Sequence, residues 1–175
     1  MTQLSIINRI ESFLPLTIFC VCIIIIAGSF IAIKPQIQTS TEGKKVEELE
    51  LFSVVSKDYI KFDQPVLLHI FATWCISCKA DHQELTHFKN KHQIKTIGII
   101  FDDTDDNILN WLRTNKNVYD DIAKVKDDRF FIELAIKNIP KTFLFAKDKT
   151  ILFNHTGELK KEDLNAILTK YSQNR

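Results

Sequence analysis

Residues 65–78 read PVLLHIFATWCISC, and the two halves of that stretch ask for different structures. Residues 65–72 are apolar apart from His69, a short and nearly continuous run of the kind that forms a strand buried on both faces. From Cys75 to about residue 91 the chain is polar, with apolar residues at Ile76, Ala80, Leu85 and Phe88 and with neither Gly nor Pro, which predicts a helix. Cys75 and Cys78 therefore stand where a buried strand passes into a helix. Unpaired N–H groups and about half a positive charge at a helix N-terminus favour a thiolate on the first cysteine. The spacing of three brings the second one turn along, within reach of a mixed disulfide formed on the first. Cys75 is then the nucleophile and Cys78 the resolving thiol. The same pair is also half of a zinc or copper site if two further ligands come from His82, His87, His92 or His155. No second Cys-x-x-Cys and no His-x-x-x-His accompanies it, but His82 lies one turn beyond Cys78 and keeps a metal-binding accessory module open.

Outward from the motif, residues 95–101 (KTIGIIF) predict a second buried strand and residues 105–114 a second helix. Thr104, Asp105 and Asp106 supply the cap and the charge that a helix start favours. Strand, helix and strand in this order make a right-handed parallel crossover. A further helix is expected over 129–137, a hairpin over 142–146 and 150–155 around residues 147–149, and a closing amphipathic helix over 162–171. Asp102, Thr104 and Asp106 imitate the start of a calcium loop, yet Asn107 stands where the loop needs Gly and Arg113 where it needs Glu, so the segment reads as a capped helix start.

The whole-chain averages hide a division. With 175 residues, 45% hydrophobic, 26% charged and a net charge of +1, the chain is ordinary, and it lacks the basic excess of a nucleic-acid binder. Mean hydropathy is −0.05. Residues 12–33 are nevertheless 22 consecutive uncharged positions, and LTIFCVCIIIIAGSFIAI at 16–33 is almost purely apolar. About 20 helical residues cross the ~30 Å hydrocarbon core, so 12–33 is expected to be a transmembrane anchor. Small residues at Ala27, Gly28 and Ser29 leave a cleaved signal as the other reading. The expected order is a short cytoplasmic N-terminus (1–11), the anchor (12–33), a linker (34–45) and one soluble domain (46–175). Arg9 before the span against Lys34, Lys44 and Lys45 after it weighs the opposite way under the positive-inside rule. Cys20 and Cys22 belong to the apolar segment, which leaves Cys75 and Cys78 as the soluble domain's only thiols.

FATWCISC after a buried strand, with Ile139-Pro140 and a TFLF strand about 60 residues later, resembles the thioredoxin fold. ATWCISCKADHQEL, NWL in the second helix, AIKNIPKTFLF and HTGEL before the last helix are together similar to the CcmG family, also called DsbE, over residues 65–171. The resemblance implies an α/β, thioredoxin-like fold, a central mixed sheet flanked by helices, here with an N-terminal transmembrane helix. It implies a thiol:disulfide oxidoreductase held on the outer, periplasmic face of a bacterial inner membrane. Such a protein reduces apocytochrome c or its haem-ligation partner and is recharged by a membrane electron donor of the CcdA or DsbD kind. A general TlpA-like or oxidising thioredoxin shares every one of these catalytic features.

By the same resemblance Cys75 and Cys78 are the redox pair, no cofactor beyond their disulfide is needed, and Pro140 is the cis-proline, with a plain strand-start proline as the alternative. Ile139 then offers its backbone to an extended substrate. Asp81 falls where the family carries an acidic residue; it either tunes the thiol or relays a proton, or is a solvated helix charge. Trp74 is either a contact for a partner or part of the core. Three positions depart from the pattern. His69 replaces the Asp that most thioredoxins place six residues before the first cysteine, so it is either a neutral, hydrogen-bonded imidazole or takes over the relay. Lys141 stands where the family often has Glu, and Ile76-Ser77 lacks the proline frequent between the cysteines.

Overall fold

A computed structural model describes residues 18, 19, 21–24, 41–115 and 117–175. The chain divides into two compact units, Met1–Thr39 and Ser40–Arg175. In the first, residues 18, 19 and 21–24 are helical, and Ile18, Phe19, Val21, Ile23 and Ile24 are exposed. Among the described residues no helix is long and apolar enough to cross a membrane. Most of the anchor expected over 12–33, with Cys20, and all of the segment 1–11 lie outside the described residues.

In the second unit, six strands form one sheet: β1 (Leu51–Ser53), β2 (Val66–Phe71), β3 (Thr96–Ile100), β4 (Asp121–Val125), β5 (Lys141–Phe145) and β6 (Ile151–Thr156), in the order β1-β4-β3-β2-β5-β6. β2, β3 and β4 run parallel, while β5 and β6 turn back as the expected hairpin and β1 closes the far edge antiparallel. Every residue of β2, β3 and β5 is buried, as expected of strands covered on both faces, although His69, Thr96, Lys141 and Thr142 break their apolar runs. Alternation along β2 splits the core. Leu67 and Phe71 face helices α1 (Ile76–His92), α2 (Asp105–Thr114) and α4 (Lys161–Asn174) through Leu85, Phe88, Ile108, Leu164 and Ile167. Leu68 and Ile70 face the short helix α3 (Arg129–Glu133) and the N-terminal segment through Phe130, Leu134, Val46 and Leu49.

Two strands are additions to the sequence reading. β1 has only three residues, and β4 (DIAKV) is half polar, so neither carries a long apolar run. The helix expected over 129–137 ends at Glu133. There Ala135 adopts a left-handed conformation (φ 49°), Ala135 N–H donates to Ile132 and Ile136 N–H to Phe131, a Schellman closure that returns Leu134 and Ile136 to the core. The linker expected to run free to residue 45 is docked at its end: Gly43 N–H donates to Ile151 O and Ile151 N–H to Lys44 O. Thr104 caps α2 as expected, its hydroxyl accepting from Asn107 N–H at 3.2 Å.

Candidate active site

Cys75 is the N-cap of α1, in extended backbone, and Cys78 sits one turn inside the helix. Their sulfurs are joined as a disulfide, and Cys75 Sγ accepts from Cys78 N–H at 3.2 Å. A sulfur that already receives a helix N-terminal N–H is where a thiolate is stabilised once the bond is reduced. Both cysteines are nearly covered, at 5% and 4% exposure, and Cys75 lines an opening to the surface. Ser77 Oγ lies 3.6 Å from Cys75 Sγ.

That opening is a groove lined by Trp74, Cys75, Ile76, Ser77, Ala80, Ile139 and Glu158. Trp74 is 56% and Ile76 83% exposed, which places the tryptophan on the surface of the groove and not in the core. Its indole N–H donates to Asp102 O at 3.0 Å. Thr73, just before it, gives both its backbone N–H and its hydroxyl to Asp103 Oδ2, at 2.7 and 2.6 Å. Partial burial works against the Asp103 charge, but the donors from Thr73, Asn107 and Thr104 outweigh it and hold the carboxyl below its usual range. The Ile139–Pro140 peptide is cis, and Ile139 reaches the groove while packing on both cores. Lys141 does not present its charge to a partner. It is 9% exposed, its ammonium donates to Thr156 Oγ1 at 2.8 Å and lies 5.1 Å from the centre of the Phe143 ring, and burial lowers its pKa.

Beneath the groove lies a buried polar chain. His69, at the middle of β2, and Asp81, on α1 one turn past Cys78, have no exposed surface. Nε2 of His69 is 3.2 Å from Asp81 Oδ2, and Nδ1 is 2.7 Å from the hydroxyl of Tyr119. The other Asp81 oxygen accepts Leu159 N–H at 2.7 Å. The solvated helix charge that the sequence left open for Asp81 is thereby corrected: the carboxylate faces the sheet, because position 81 shares the inner face of α1 with Cys78, Leu85 and Phe88. Burial, and then the Asp81 charge, raise the Tyr119 phenol well above its ordinary pKa. His82 packs its ring on Trp111 at 4.8 Å and on Tyr119 at 5.9 Å. Tyr119, Asp103 and Glu158 are site residues that sequence reasoning passed over. Tyr119 is 50 positions from His69 and in no motif; Glu158 did lie within the HTGEL segment, the one available signal.

The model of the thioredoxin-like domain family matches residues 53–172. Thiol:disulfide interchange protein DsbE of Escherichia coli (strain K12) is 27% identical over 147 residues, covering 78% of this chain and 79% of that protein. The DsbE of Vibrio cholerae is 30% identical, covering 67% and 66%. Among solved structures, StoA from Bacillus subtilis superposes with a TM-score of 0.57 at 20% identity, covering 70% of this chain and 98% of that one. A thio-disulfide isomerase from Thermus thermophilus gives 0.56 at 18%, covering 74% and 96%. These two likenesses show the fold.

Proposed function

The chain belongs to the thioredoxin-like family, as a thiol:disulfide oxidoreductase of the DsbE (CcmG) kind, and from that premise we propose that it reduces disulfides for cytochrome c maturation. The observation that carries the reading is a Cys75–Cys78 disulfide at a helix N-terminus, opening into the groove that Ile139 of the cis Ile139–Pro140 peptide also lines. Its substrate would be apocytochrome c or the thiol protein that prepares it for haem ligation. The apolar segment 12–33 would hold the domain on the periplasmic side of the inner membrane, where a donor of the CcdA or DsbD kind returns two electrons to the disulfide.

In the reduced protein the Cys75 thiolate attacks one sulfur of the substrate disulfide. A mixed disulfide forms, and the other substrate sulfur leaves as a thiolate that takes a proton from water. The Cys78 thiol then gives up its proton and attacks Cys75 Sγ. The bond from Cys75 to the substrate breaks, the second substrate sulfur departs with the electron pair, and Cys75–Cys78 remains. The substrate has gained two electrons and the protein has lost two. Cys78 is shut off from water, so its proton needs an acceptor within the fold, and Asp81 with His69 is the pair one turn away. Ile139 offers backbone to an extended substrate beside Trp74.

Cys78→Ser removes the resolving step and is expected to trap a mixed disulfide between Cys75 and a membrane-side partner. The adduct is read on non-reducing gels and identified by mass spectrometry. Failure to recover any adduct that depends on Cys75 from cells would sink the proposal.

A further inference from the structure

A carboxylate paired with an imidazole accepts a proton in a defined way only if the imidazole is held in one tautomer. Tyr119 is built to do that. Its hydroxyl is 2.7 Å from His69 Nδ1, and its ring stacks on Phe71 at 4.9 Å, with His82 at 5.9 Å and Trp111 at 6.5 Å. The ring's place exists because residue 98 is glycine: a Cβ there would stand 3.0 Å from Tyr119 Cδ2 and 2.7 Å from Phe71 Cε1.

A neutral imidazole has one N–H and one lone pair, whereas an imidazolium has two N–H groups. Asp81 as a carboxylate can only accept, and it already takes Leu159 N–H on Oδ1, so Nε2–H of His69 is the donor to Oδ2. That leaves the lone pair on Nδ1, which the Tyr119 O–H fills. We infer that Tyr119 is a positioning residue whose hydroxyl, by filling the Nδ1 lone pair, holds His69 in the tautomer that turns its N–H to Asp81, the carboxylate that takes up the proton released by Cys78. A phenyl ring in its place makes no such bond. The inference rests on Cys78 being the resolving thiol.

The surroundings suit such a device. α1 contributes Asp81, His82 and the Cys78 thiol, and beyond them the Lys89 ammonium, which pairs with Asp120 at 2.7 Å and donates to Val118 O. Beside His69, β3 places Gly98 and β5 places Thr142, neither of which titrates. α2 contributes only the Trp111 ring against Tyr119. Among the described residues Asp81 is thus the one anion in hydrogen-bond contact with the imidazole.

The test uses the full chain in detergent with Cys20→Ser and Cys22→Ser, so that Cys75 and Cys78 are the only thiols. One equivalent of an aryl disulfide with a coloured leaving thiolate gives a first release as Cys75 is modified. A second, intramolecular release follows as Cys78 resolves the adduct. Across pH, Tyr119→Phe is expected to slow the second release about tenfold relative to the first at neutral pH and to move its midpoint to higher pH. His69→Asn is expected to do at least as much. Wild-type pH profiles for the second release in folded Tyr119→Phe overturn the inference. Should that variant fail to fold, nitrogen NMR of His69 in the reduced parent chain decides instead: a proton on Nε2 supports the inference, and a proton on Nδ1 overturns it. A Cys78→Ser chain that still shows the second release would overturn the reading of Cys78 itself, which is a separate outcome.

Discussion

Gly98 shows how far one absent methyl group reaches. It pairs with His69 across β2 and β3, and its bare Cα lets the rings of Phe71 and Tyr119 close over it. Gly98→Ala is therefore expected to cost about 1–3 kcal/mol through overpacking, read as a lower denaturant midpoint. It should also slow resolution by Cys78, because the displaced ring carries the hydroxyl away from His69 Nδ1. A destabilised variant with normal resolution would separate the packing role of Gly98 from the chemistry. At this scale the sequence was legible where chemistry and position coincide. Cys75 and Cys78 could be read from spacing and from the strand that precedes them. His69 could be read only as two alternatives, since what its ring nitrogens touch depends on Tyr119, 50 residues away, and on how deeply α1 turns Asp81 inward. Lys141 shows the same limit, because its flexible stem folds the ammonium onto Thr156 instead of toward a partner.

At the scale of elements, the dithiol is placed by two adjacent loops as much as by α1. The turn after β2 carries Thr73 and Trp74, the turn after β3 carries Asp102 and Asp103, and three hydrogen bonds join them. Asp103 titrates below the usual carboxylate value of 3.8 in the folded chain. Its contribution is thus complete above that value and is lost as pH falls through the lowered one. Asp103→Ala is expected to cost about 1 kcal/mol at neutral pH, a figure discounted for the partial exposure of the group. It should flatten the acid limb of the stability profile measured by chemical unfolding at several pH values; an unchanged acid limb would show that the loops hold without the charge. The β2–α1–β3 crossover that these loops flank was legible because buried parallel strands advertise themselves as apolar runs. β4 was not, because an edgeward strand with Asp121 and Lys124 carries too little of that signal. The end of α3 was hidden for a different reason: Ala135 takes a left-handed conformation that sequence normally announces with glycine.

For the molecule as a whole, the informative boundary is the one between the apolar segment and the catalytic unit. Composition sets it at residue 46, where hydrophobic periodicity resumes, and the family model begins only at residue 53. The compact unit begins earlier, at Ser40. Residues 43–46 lie along the turn into β6: Gly43 N–H donates to Ile151 O, Ile151 N–H to Lys44 O, and Val46 N–H to Lys149 O. Glu42 pairs with Lys170 on α4 at 2.7 Å, and Lys44 with Glu133 on α3 at 3.0 Å. No hydrophobic pattern marks residues 42–45, whose contacts are backbone bonds and surface ion pairs. The ion pairs contribute little, being exposed, whereas each lost backbone bond is worth about 1 kcal/mol. A chain beginning at Val46 is therefore expected to be about 2 kcal/mol less stable than one beginning at Ser40, measured as a shift in urea midpoint with an unchanged slope. Equal midpoints would mean that the docked segment serves only as tether. A lower midpoint would mean that the last residues of the expected linker are part of the fold that carries Cys75.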